Sequence, residues 1–263
     1  ALNEAGALIN EEGTFRTGAN WPTVWTRDIA YATHLGLGMW NVQACMKSLQ
    51  ARVRKGEVEQ DTGTGGSWPI SSDRVVWSVA AWEAYCLTGD GDWLLRASRV
   101  LEKTCLKDEK VLTATGGLMR GESSFLDWRE QSYPAWMTSA DIGDSSSLST
   151  MILHAAARKM LARMFRELGM EGKAREWDGK GEALSGVIEK FFRIPGSDLY
   201  GQYLYGRGYP VLSEKVDSLG NMLCVLLGHA HGAHAARMVA ALPHCVYGIP
   251  CFHPQMPEDV ARL

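Results

Sequence analysis

The chain has 263 residues, of which 46% are hydrophobic, and its formal net charge is −3. This length suffices for one large domain with a substantial core. The near-neutral charge and the lack of a Lys/Arg run argue against a nucleic-acid-binding protein. No apolar run reaches the roughly 18 residues that a membrane-spanning helix needs, so a membrane is not an expected partner either.

The cysteines and the N-terminal residues leave the cellular compartment open. The six cysteines lie mostly one to an apolar segment and lack metal-ligand spacing, which is typical of buried thiols. The first residues, ALNEAGALINEEG, lack the charged start and the long apolar stretch of a signal peptide. Because the chain begins and ends abruptly, secretion stays open, and a periplasmic or extracellular location is slightly favoured over the cytoplasm.

Helical periodicity dominates the chain. Apolar residues recur at three- and four-residue spacing in eight segments, which predicts eight helices. In chain order these are Arg27–Trp40, Val42–Val53, Asp73–Leu87, Asp92–Cys105, Ser147–Leu168, Gly172–Phe192, Lys215–Leu227 and Ala233–Leu242. Short turns with glycine, such as LTGDGDW and ELGMEGKA, join several of them in pairs, because glycine supplies the left-handed residue that ends a helix. The pattern predicts an all-α protein made of helical hairpins in series.

Three long polar loops connect the predicted hairpins, namely Gly56–Ser72, Lys107–Ser146 and Pro195–Glu214. They hold most of the Gly, Asp, Ser and Trp residues, so one end of the scaffold is expected to carry the function. No strand pattern persists beyond a few residues, and an α/β sheet is not expected. A short β-hairpin around Leu199–Tyr209 remains open.

The segment NWPTVWTRDIAYA places Trp25, Arg27 and Asp28 at the start of the first predicted helix. One interpretation is a charge pair at a helix N-terminus, where the helix dipole favours an acid. The other is a sugar-binding corner. There Asp accepts from sugar hydroxyls, Arg donates to them, and Trp presents a flat apolar face to the ring.

The segment GTGGSWPISSDRVVW repeats this design, with Trp68 and a proline just before another helix. Ser72 or Asp73 is expected to serve as the N-cap of that helix. A cap does not explain the Trp-Pro pair, so Trp68 and Asp73 are kept as candidate pocket residues.

The segment GLMRGESSFLDWREQSYPAW combines charged and aromatic residues within one loop. Asp127 lies between Leu126 and Trp128, and an apolar environment raises the pKa of a carboxyl group. A carboxyl that stays protonated near neutral pH can act as a general acid. The alternative is that Asp127 pairs with Arg129 or Arg120 and only fixes the loop. Position and spacing leave the two interpretations even.

The histidines and glycines predict no metal site and no cofactor. His229, His231 and His234 cluster in GHAHGAH, but this is a short turn between helices without a carboxylate or thiol at ligand spacing. His154 falls on a helical face and is interpreted as a core residue. No phosphate-binding glycine loop and no nucleophilic Ser or Cys signature is present.

Several of these segments together resemble the six-hairpin glycosidases, the (α/α)6-barrel enzymes that include trehalases, processing α-glucosidases and amylo-α-1,6-glucosidases. WTRDIAYA resembles their W-x-R-D segment, and SSDRVVWSVAAWEAYCLTGD resembles a helix that ends in T-G-D. FLDWREQSYP resembles the loop that bears their general acid. The resemblance covers nearly the whole chain, and the order and spacing of the motifs make it specific.

The resemblance implies an inverting glycoside hydrolase that binds an oligosaccharide and has Asp127 as general acid. It implies that Arg27 and Asp28 bind the terminal sugar and that Trp25 and Trp68 line the pocket. Further implied substrate contacts are Asp73, Glu122, Trp128 and Arg129. These residues explain the crowded loop as part of the subsite for the sugar that is cleaved off.

The chain departs from the family in its length. Six hairpins need twelve helices, whereas eight are predicted here, so about four of the six hairpins of the toroid are expected. Residues 1–263 are therefore interpreted as a single (α/α)6-barrel catalytic domain, truncated at the C-terminus and without a preceding N-terminal domain. The general base of the family comes from a later segment and is expected outside this chain.

Three other functions remain open. Disaccharide phosphorylases share the barrel, and their G-D-W-N-D acid loop is similar in part to LDWRE; they use phosphate instead of a base. Sugar epimerases with this barrel use paired histidines, for which no pair in the long loops is suited. A non-catalytic glycan-binding module would use the aromatic pocket for binding alone. The sugar and the linkage are not determined by the sequence pattern.

Overall fold

The structure is a computed structural model, and it describes residues 2–61, 67–124, 133–134, 136–206 and 209–254. Helices predominate in these residues. In chain order they are α1 (Leu2–Ala7), α2 (Thr26–Ala32), α3 (Gly38–Ala51), α4 (Trp77–Thr88), α5 (Gly91–Leu112), α6 (Ser139–Asp144), α7 (Leu148–Glu167), α8 (Glu171–Phe192), α9 (Ser218–Leu226) and α10 (Gly232–Ala241). The strands are β1 (Val53–Arg54), β2 (Glu57–Val58), β3 (Ser146–Ser147), β4 (Gly201–Tyr205), β5 (Val211–Asp217) and β6 (Phe252–His253).

The predicted break between the first two helices is confirmed in position. Asn41 leaves the helical conformation, with φ −150° and ψ 74°, and its side-chain oxygen accepts a 3.1 Å hydrogen bond from the amide of Ala44. The helical path upstream is less regular than predicted, because a π-helical turn over Thr33–Leu37 joins α2 to α3. Asn41 therefore satisfies an amide that the interrupted helix would otherwise leave unpaired.

Two predicted boundaries are wrong. Helix α5 extends past the predicted end at Cys105, because Cys105, Asp108 and Leu112 continue its buried face at three- and four-residue spacing. The helix predicted from Lys215 begins instead at Ser218. Residues before Ser218 belong to β5, which pairs with β4.

The described residues form a small antiparallel sheet in the order β3-β4-β5-β6. The β4–β5 pair, with Leu204 opposite Leu212 and Tyr205 opposite Val211, confirms the hairpin expected around Leu199–Tyr209. The expectation that no strand exceeds a few residues is wrong for β5, which has 7 residues. Its sequence, VLSEKVD, holds three charged residues, and the pairing with β4 rather than apolar alternation determines the strand.

The chain divides into two compact units. Unit 1 comprises Ala1–Asp61, Arg74–Lys107 and Ala157–Gly179, and its core is rich in tryptophan. Trp77 and Trp93 are buried with ring centroids 6.0 Å apart. The indole N–H of Trp77 donates to the carbonyl of Leu49, and that of Trp93 to the carbonyl of Ala81, both at 2.9 Å. Each ring is buried without an unsatisfied donor.

Unit 2 comprises Thr62–Asp73, Asp108–Ala156 and Lys180–Leu263. Its core combines apolar side chains with an unusual number of buried hydroxyl groups. Among the buried serines and threonines of this unit are Ser71, Ser72, Ser123, Ser124, Ser145, Ser146, Ser147, Ser149 and Thr150. Since buried hydroxyl groups need hydrogen-bond partners, this cluster indicates a polar network within the unit.

The helices alternate between two burial patterns. Helix α4 is buried over most of its surface, and α5 after it is buried along one side only. Helix α7 is again mostly buried, and α8 follows with buried residues at three- and four-residue intervals. The turn between α4 and α5 uses Gly89 in the left-handed conformation, with φ +67°. This alternation confirms the predicted hairpins.

None of the helices in the described ranges is long and apolar enough to span a bilayer.

Candidate active site

The start of α2 carries three of the predicted sugar-binding residues. Arg27 is buried, with 4% of its surface exposed, and Asp28 is half-buried in the same helical turn. Trp25 is half-buried, and its ring centroid lies 5.4 Å from that of the exposed Trp21. The structure thus brings Trp25, Arg27 and Asp28 to one corner of unit 1.

A carboxylate that was not predicted holds this corner. The amide of Arg27 donates a 3.0 Å hydrogen bond to Oδ2 of Asp61, and Nη2 of Arg52 donates a 3.4 Å bond to Oδ1. Burial raises the pKa of Asp61, while the amides of Arg27 and Thr26 and the charges of Arg27 and Arg52 oppose this rise. Asp61 acts as a remote cap for α2. Its position just before a glycine-rich loop was the only sequence signal.

Trp68 in unit 2 is fixed by a second buried carboxylate. Its indole N–H donates a 2.9 Å hydrogen bond to Oδ1 of Asp108, and Asp108 is fully buried. The ring itself is half-buried and the neighbouring Pro69 is exposed. A tryptophan anchored at its polar edge keeps a defined ring orientation, which a stacking residue needs.

The segment around Glu122 packs directly against the loop that follows Trp68. The hydroxyl of Ser71 donates a hydrogen bond to the Glu122 carboxylate, and the hydroxyl of Ser72 donates one of 2.7 Å to the carbonyl of Arg120. Gly121 makes this approach possible. A Cβ atom there would lie 1.8 Å from Oγ of Ser72, and its φ of +149° also favours glycine.

Asp73 is linked to the same segment. The hydroxyl of Ser124 donates a 2.6 Å hydrogen bond to Oδ2 of Asp73, and the amide of Ser124 donates one of 3.0 Å to Oγ of Ser149. Asp73 and Glu122 are each only 2% exposed. Both carboxylates therefore help to hold residues 120–124 against residues 71–73.

The expectation that Ser72 or Asp73 caps the following helix is wrong. Arg74–Val76 form a 3-10 turn, so α4 begins at Trp77 and its N-cap position is Val76. The carboxylate of Asp73 instead accepts the hydroxyl of Ser124. The hydroxyl of Ser72 is likewise directed to the carbonyl of Arg120.

The segment that carries the predicted general acid is anchored at both ends. Asp127, Trp128 and Arg129 lie outside the described residues, so their roles stay predictions. Before them, the amide of Ser123 donates a 2.7 Å hydrogen bond to the phenolic oxygen of Tyr133, which follows them in the chain. Burial and the nearby charge of Glu122 raise the pKa of Tyr133 well above its ordinary value. Tyr133 therefore stays neutral at neutral pH, and its oxygen can keep accepting the hydrogen bond from the Ser123 amide.

A row of aromatic rings extends from Tyr133. Tyr133 and Tyr203 have ring centroids 5.4 Å apart, Tyr203 and Tyr205 6.0 Å, and Tyr205 and Trp136 5.7 Å. Tyr133 and Tyr203 are buried, Tyr205 is half-buried and Trp136 is exposed. Tyr133 and Trp136 belong to the segment GLMRGESSFLDWREQSYPAW, but no local sequence pattern predicts that the two tyrosines of β4 lie beside them.

Arg120 pairs with Asp144, with 3.3 Å between Nη1 and Oδ1. The two residues form part of the wall of a cavity of about 350 Å³, together with Thr115, Leu118, Ser146 and Leu204. Asp144 thus supplies a partner for the charge of Arg120. A pair between Arg120 and Asp127 is therefore not needed to account for the position of Arg120.

Asp217 is a further buried acid that was not predicted. It ends β5 and directly precedes α9. Burial raises its pKa to about 6, against the opposing influence of the Gly220 amide and the Ser149 hydroxyl. Because the sequence analysis placed a helix over this position, the only available signal was the Asp-Ser pair that typically begins a helix.

The histidines have protein partners. His154 is buried, and its Nε2 lies 2.9 Å from the carbonyl oxygen of Ser72, which confirms it as a core residue. His229 Nε2 lies 2.9 Å from Oε1 of Glu189. In the described ranges, no group of three or more His, Cys, Asp or Glu side chains is arranged to hold a metal ion.

Comparison with solved structures gives the fold. The chain is similar to the GH78 rhamnosidase of Bacillus sp. GL1, with a TM-score of 0.63 and 13% identity over 92% of this chain and 26% of that one. It is similar to a rhamnosidase from Klebsiella oxytoca with rhamnose bound, with a TM-score of 0.62 and 11% identity over 92% of this chain and 45% of that one. It is also similar to the GH76A α-1,6-mannanase from Salegentibacter sp. HEL1_6, with a TM-score of 0.54 and 15% identity over 91% and 67%.

This chain has the fold of the six-hairpin glycosidases. The predicted fold class is confirmed, with the small antiparallel sheet as an addition. The chain spans about a quarter of the Bacillus enzyme and less than half of the Klebsiella enzyme. No family model and no curated protein sequence matches it. At identities of 11–15%, these likenesses establish the fold and not the substrate.

Proposed function

We propose that this chain is the catalytic part of an inverting glycoside hydrolase that acts on an oligosaccharide. The observation that carries the proposal is the fold, because the rhamnosidases and mannanases to which the chain is similar all cleave glycosidic bonds. The buried polar network of unit 2 supports it, since that network holds the predicted acid segment at Ser123, Ser124 and Tyr133.

In the proposed mechanism Asp127 protonates the departing glycosidic oxygen. A water molecule, activated by a second carboxylate, attacks the anomeric carbon from the opposite face and inverts its configuration. This mechanism needs the two carboxyl groups about 6.5–9.5 Å apart, so that the water fits between base and sugar. Asp127 must be protonated before reaction, and its apolar sequence neighbours, Leu126 and Trp128, are the reason to expect a raised pKa.

The corner of unit 1 is proposed to recognise the terminal sugar. Asp28 accepts from adjacent sugar hydroxyls, and Trp25 offers an apolar face. The backbone amide of Arg27 is bonded to the buried Asp61, which fixes the first turn of α2, where Asp28 lies. Trp68, in unit 2, has the fixed ring orientation that a sugar-stacking residue needs.

An α-linked rhamnose or mannose unit is the proposed substrate. One similar structure holds rhamnose, and a variant of the mannanase, described as inactive after replacement of two adjacent aspartates, holds α-1,6-mannotetrose. Rhamnose is 6-deoxy-L-mannose and mannans consist of D-mannose, so the two ligands present mirror-image patterns of ring hydroxyls, and a chiral site accepts one or the other. A site built on Asp28 and Arg27 would read such a pattern by hydrogen bonds.

The test is hydrolysis of a panel of α-rhamnosides, α-mannosides, α-glucosides and their oligosaccharides, with and without inorganic phosphate. We expect turnover without phosphate and, by NMR, a first-formed product with the opposite anomeric configuration. Asp127→Asn should lose about 10²–10⁴-fold in kcat. Asp92→Asn, which removes an exposed carboxylate at the start of α5, should retain full activity.

The same experiment separates the alternatives. Turnover that requires phosphate would identify a phosphorylase. Binding of glycans without any turnover, unchanged by Asp127→Asn, would identify a binding module. Retention of anomeric configuration would contradict the inverting mechanism while leaving a glycosidase.

A further inference from the structure

The aromatic row Tyr133, Tyr203, Tyr205 and Trp136 goes beyond what core packing requires. Its first two members belong to a buried cluster with Met137 and Ile142. The row then continues outward, and it ends at Trp136, which is 59% exposed. Large aromatic side chains are usually mostly buried, so an exposed indole in line with a second, half-buried ring is informative about binding.

The row is physically attached to the segment of the predicted acid. Tyr133 is both the first ring of the row and the residue whose oxygen accepts the amide of Ser123. Tyr205 and Tyr203 are held by pairing of β4 with β5, where Tyr203 lies opposite Ser213 and Tyr205 opposite Val211. Tyr203 and Tyr205 therefore sit on a paired strand, whereas Trp136 lies just before α6 and has its ring against that of Tyr205.

The chemistry of these rings suits a sugar ring. The faces of Tyr and Trp are apolar and electron-rich, and they pack against the C–H groups that a pyranose presents on one side. Phenol and indole groups can also form hydrogen bonds with the hydroxyls at the edge of a sugar. The ring planes meet at 58° and 66° in the two outer pairs, so neighbouring rings are steeply inclined and do not form a flat stack.

We propose that Trp136 and Tyr205 form a stacking subsite for the sugar unit on the leaving-group side of the bond that is cleaved. This inference rests on the proposed function. A general acid donates its proton to the leaving-group oxygen, so a platform tied to the acid segment serves the sugar attached to that oxygen. The platform makes the enzyme selective for oligosaccharides over substrates with a small leaving group.

The test compares an oligosaccharide that the protein cleaves with the glycosyl fluoride of the same terminal sugar, because fluoride cannot occupy a stacking subsite. We expect Trp136→Ala to raise KM for the oligosaccharide about 3- to 10-fold and to leave KM for the fluoride unchanged. Trp136→Phe, which keeps an aromatic face, should restore most of the affinity. Tyr247→Ala, at a residue that is 97% exposed and outside the row, is the matched control and should change neither KM.

Each outcome is decisive. An active protein whose oligosaccharide KM is unaffected by Trp136→Ala overturns the subsite and leaves the proposed function standing. If no glycoside is cleaved, the same oligosaccharides are titrated against the protein by tryptophan fluorescence. Binding that Trp136→Ala weakens then supports the subsite and overturns the hydrolase. No binding by the unmodified protein overturns both.

Discussion

The hydroxyl of Ser124 donates a 2.6 Å hydrogen bond to the carboxylate of Asp73, and both groups are buried. The two residues are 51 positions apart in the chain. This bond joins the loop that leads to α4 with the segment that leads to Asp127. Because one partner is a carboxylate in a water-poor environment, the bond is of the charge-assisted kind.

Removing this donor should destabilise the protein measurably. Ser124→Ala leaves the buried Asp73 carboxylate without one of its hydrogen bonds, which typically costs about 1–3 kcal/mol. Urea denaturation should show a lower midpoint with an unchanged slope. The control is Ser139→Ala, at an exposed position, which should stay within about 0.5 kcal/mol of the unmodified protein. Equal stability of the two variants would show that Asp73 does not depend on Ser124.

Gly121 should tolerate no side chain. Gly121→Ala places a Cβ atom 1.8 Å from Oγ of Ser72 at a backbone φ of +149°, so residues 121 and 72, which are now in contact, must move apart. We expect a loss of about 1–3 kcal/mol or more in the free energy of unfolding. Gly179→Ala, in α8 with no atom within 4 Å of the new Cβ, should instead gain about 0.5–1 kcal/mol. Chemical denaturation of both variants checks the pair, and a neutral Gly121→Ala would contradict the close packing of residues 120–122 on Ser72.

Helix periodicity predicted most of the fold because each long helix buries one face or nearly all of its surface. The break at Asn41 was found, since an Asn between two apolar repeats competes for backbone amides. Strand β5 was missed because its sequence, VLSEKVD, has no apolar alternation, and only its pairing with β4 makes it a strand. Long-range pairing of this kind is not encoded in any short window of sequence.

The candidate site was predicted only where its residues carry a local pattern. Trp25, Arg27, Asp28, Trp68 and Asp73 stand out because they flank predicted helix starts. Their partners do not stand out, because they come from distant parts of the chain. The clearest examples are Asp61 with Arg27, Asp108 with Trp68 and Ser124 with Asp73, whose contacts span 34, 40 and 51 positions.

Asp217 should make stability depend on pH. Its pKa is about 6 in the folded protein against an ordinary 3.8, so the folded state binds more protons between these values. The free energy of unfolding therefore falls as pH rises from 4 to 6, by up to ~3 kcal/mol from this group. Asp217→Asn cannot ionise, so the variant should gain stability relative to the unmodified protein between pH 4 and pH 7.5. Urea titrations at both pH values measure this difference.

The control for that experiment is Asp92→Asn, which changes an exposed carboxylate at the start of α5. Its stability relative to the unmodified protein should vary little between the two pH values. A difference for Asp217→Asn that is equally flat would mean that Asp217 ionises normally in the folded protein.

Kinetics should distinguish the role proposed for Asp28, sugar binding, from the role proposed for Asp127, general acid catalysis. Asp28→Asn weakens contacts to the terminal sugar. These contacts are present in the bound substrate and in the transition state, and they do not depend on the leaving group. The substitution should therefore lower kcat/KM by a similar factor on an oligosaccharide and on the corresponding glycosyl fluoride. A loss confined to the oligosaccharide would contradict terminal-sugar binding by Asp28.

The most direct test of the account is the leaving-group dependence of Asp127→Asn. A general acid matters most when the leaving oxygen needs a proton, so kcat on the oligosaccharide should fall about 10²–10⁴-fold. On the glycosyl fluoride, whose leaving group needs little protonation, the loss should be less than about tenfold. An equal loss on both substrates would contradict the assignment of Asp127 as the general acid.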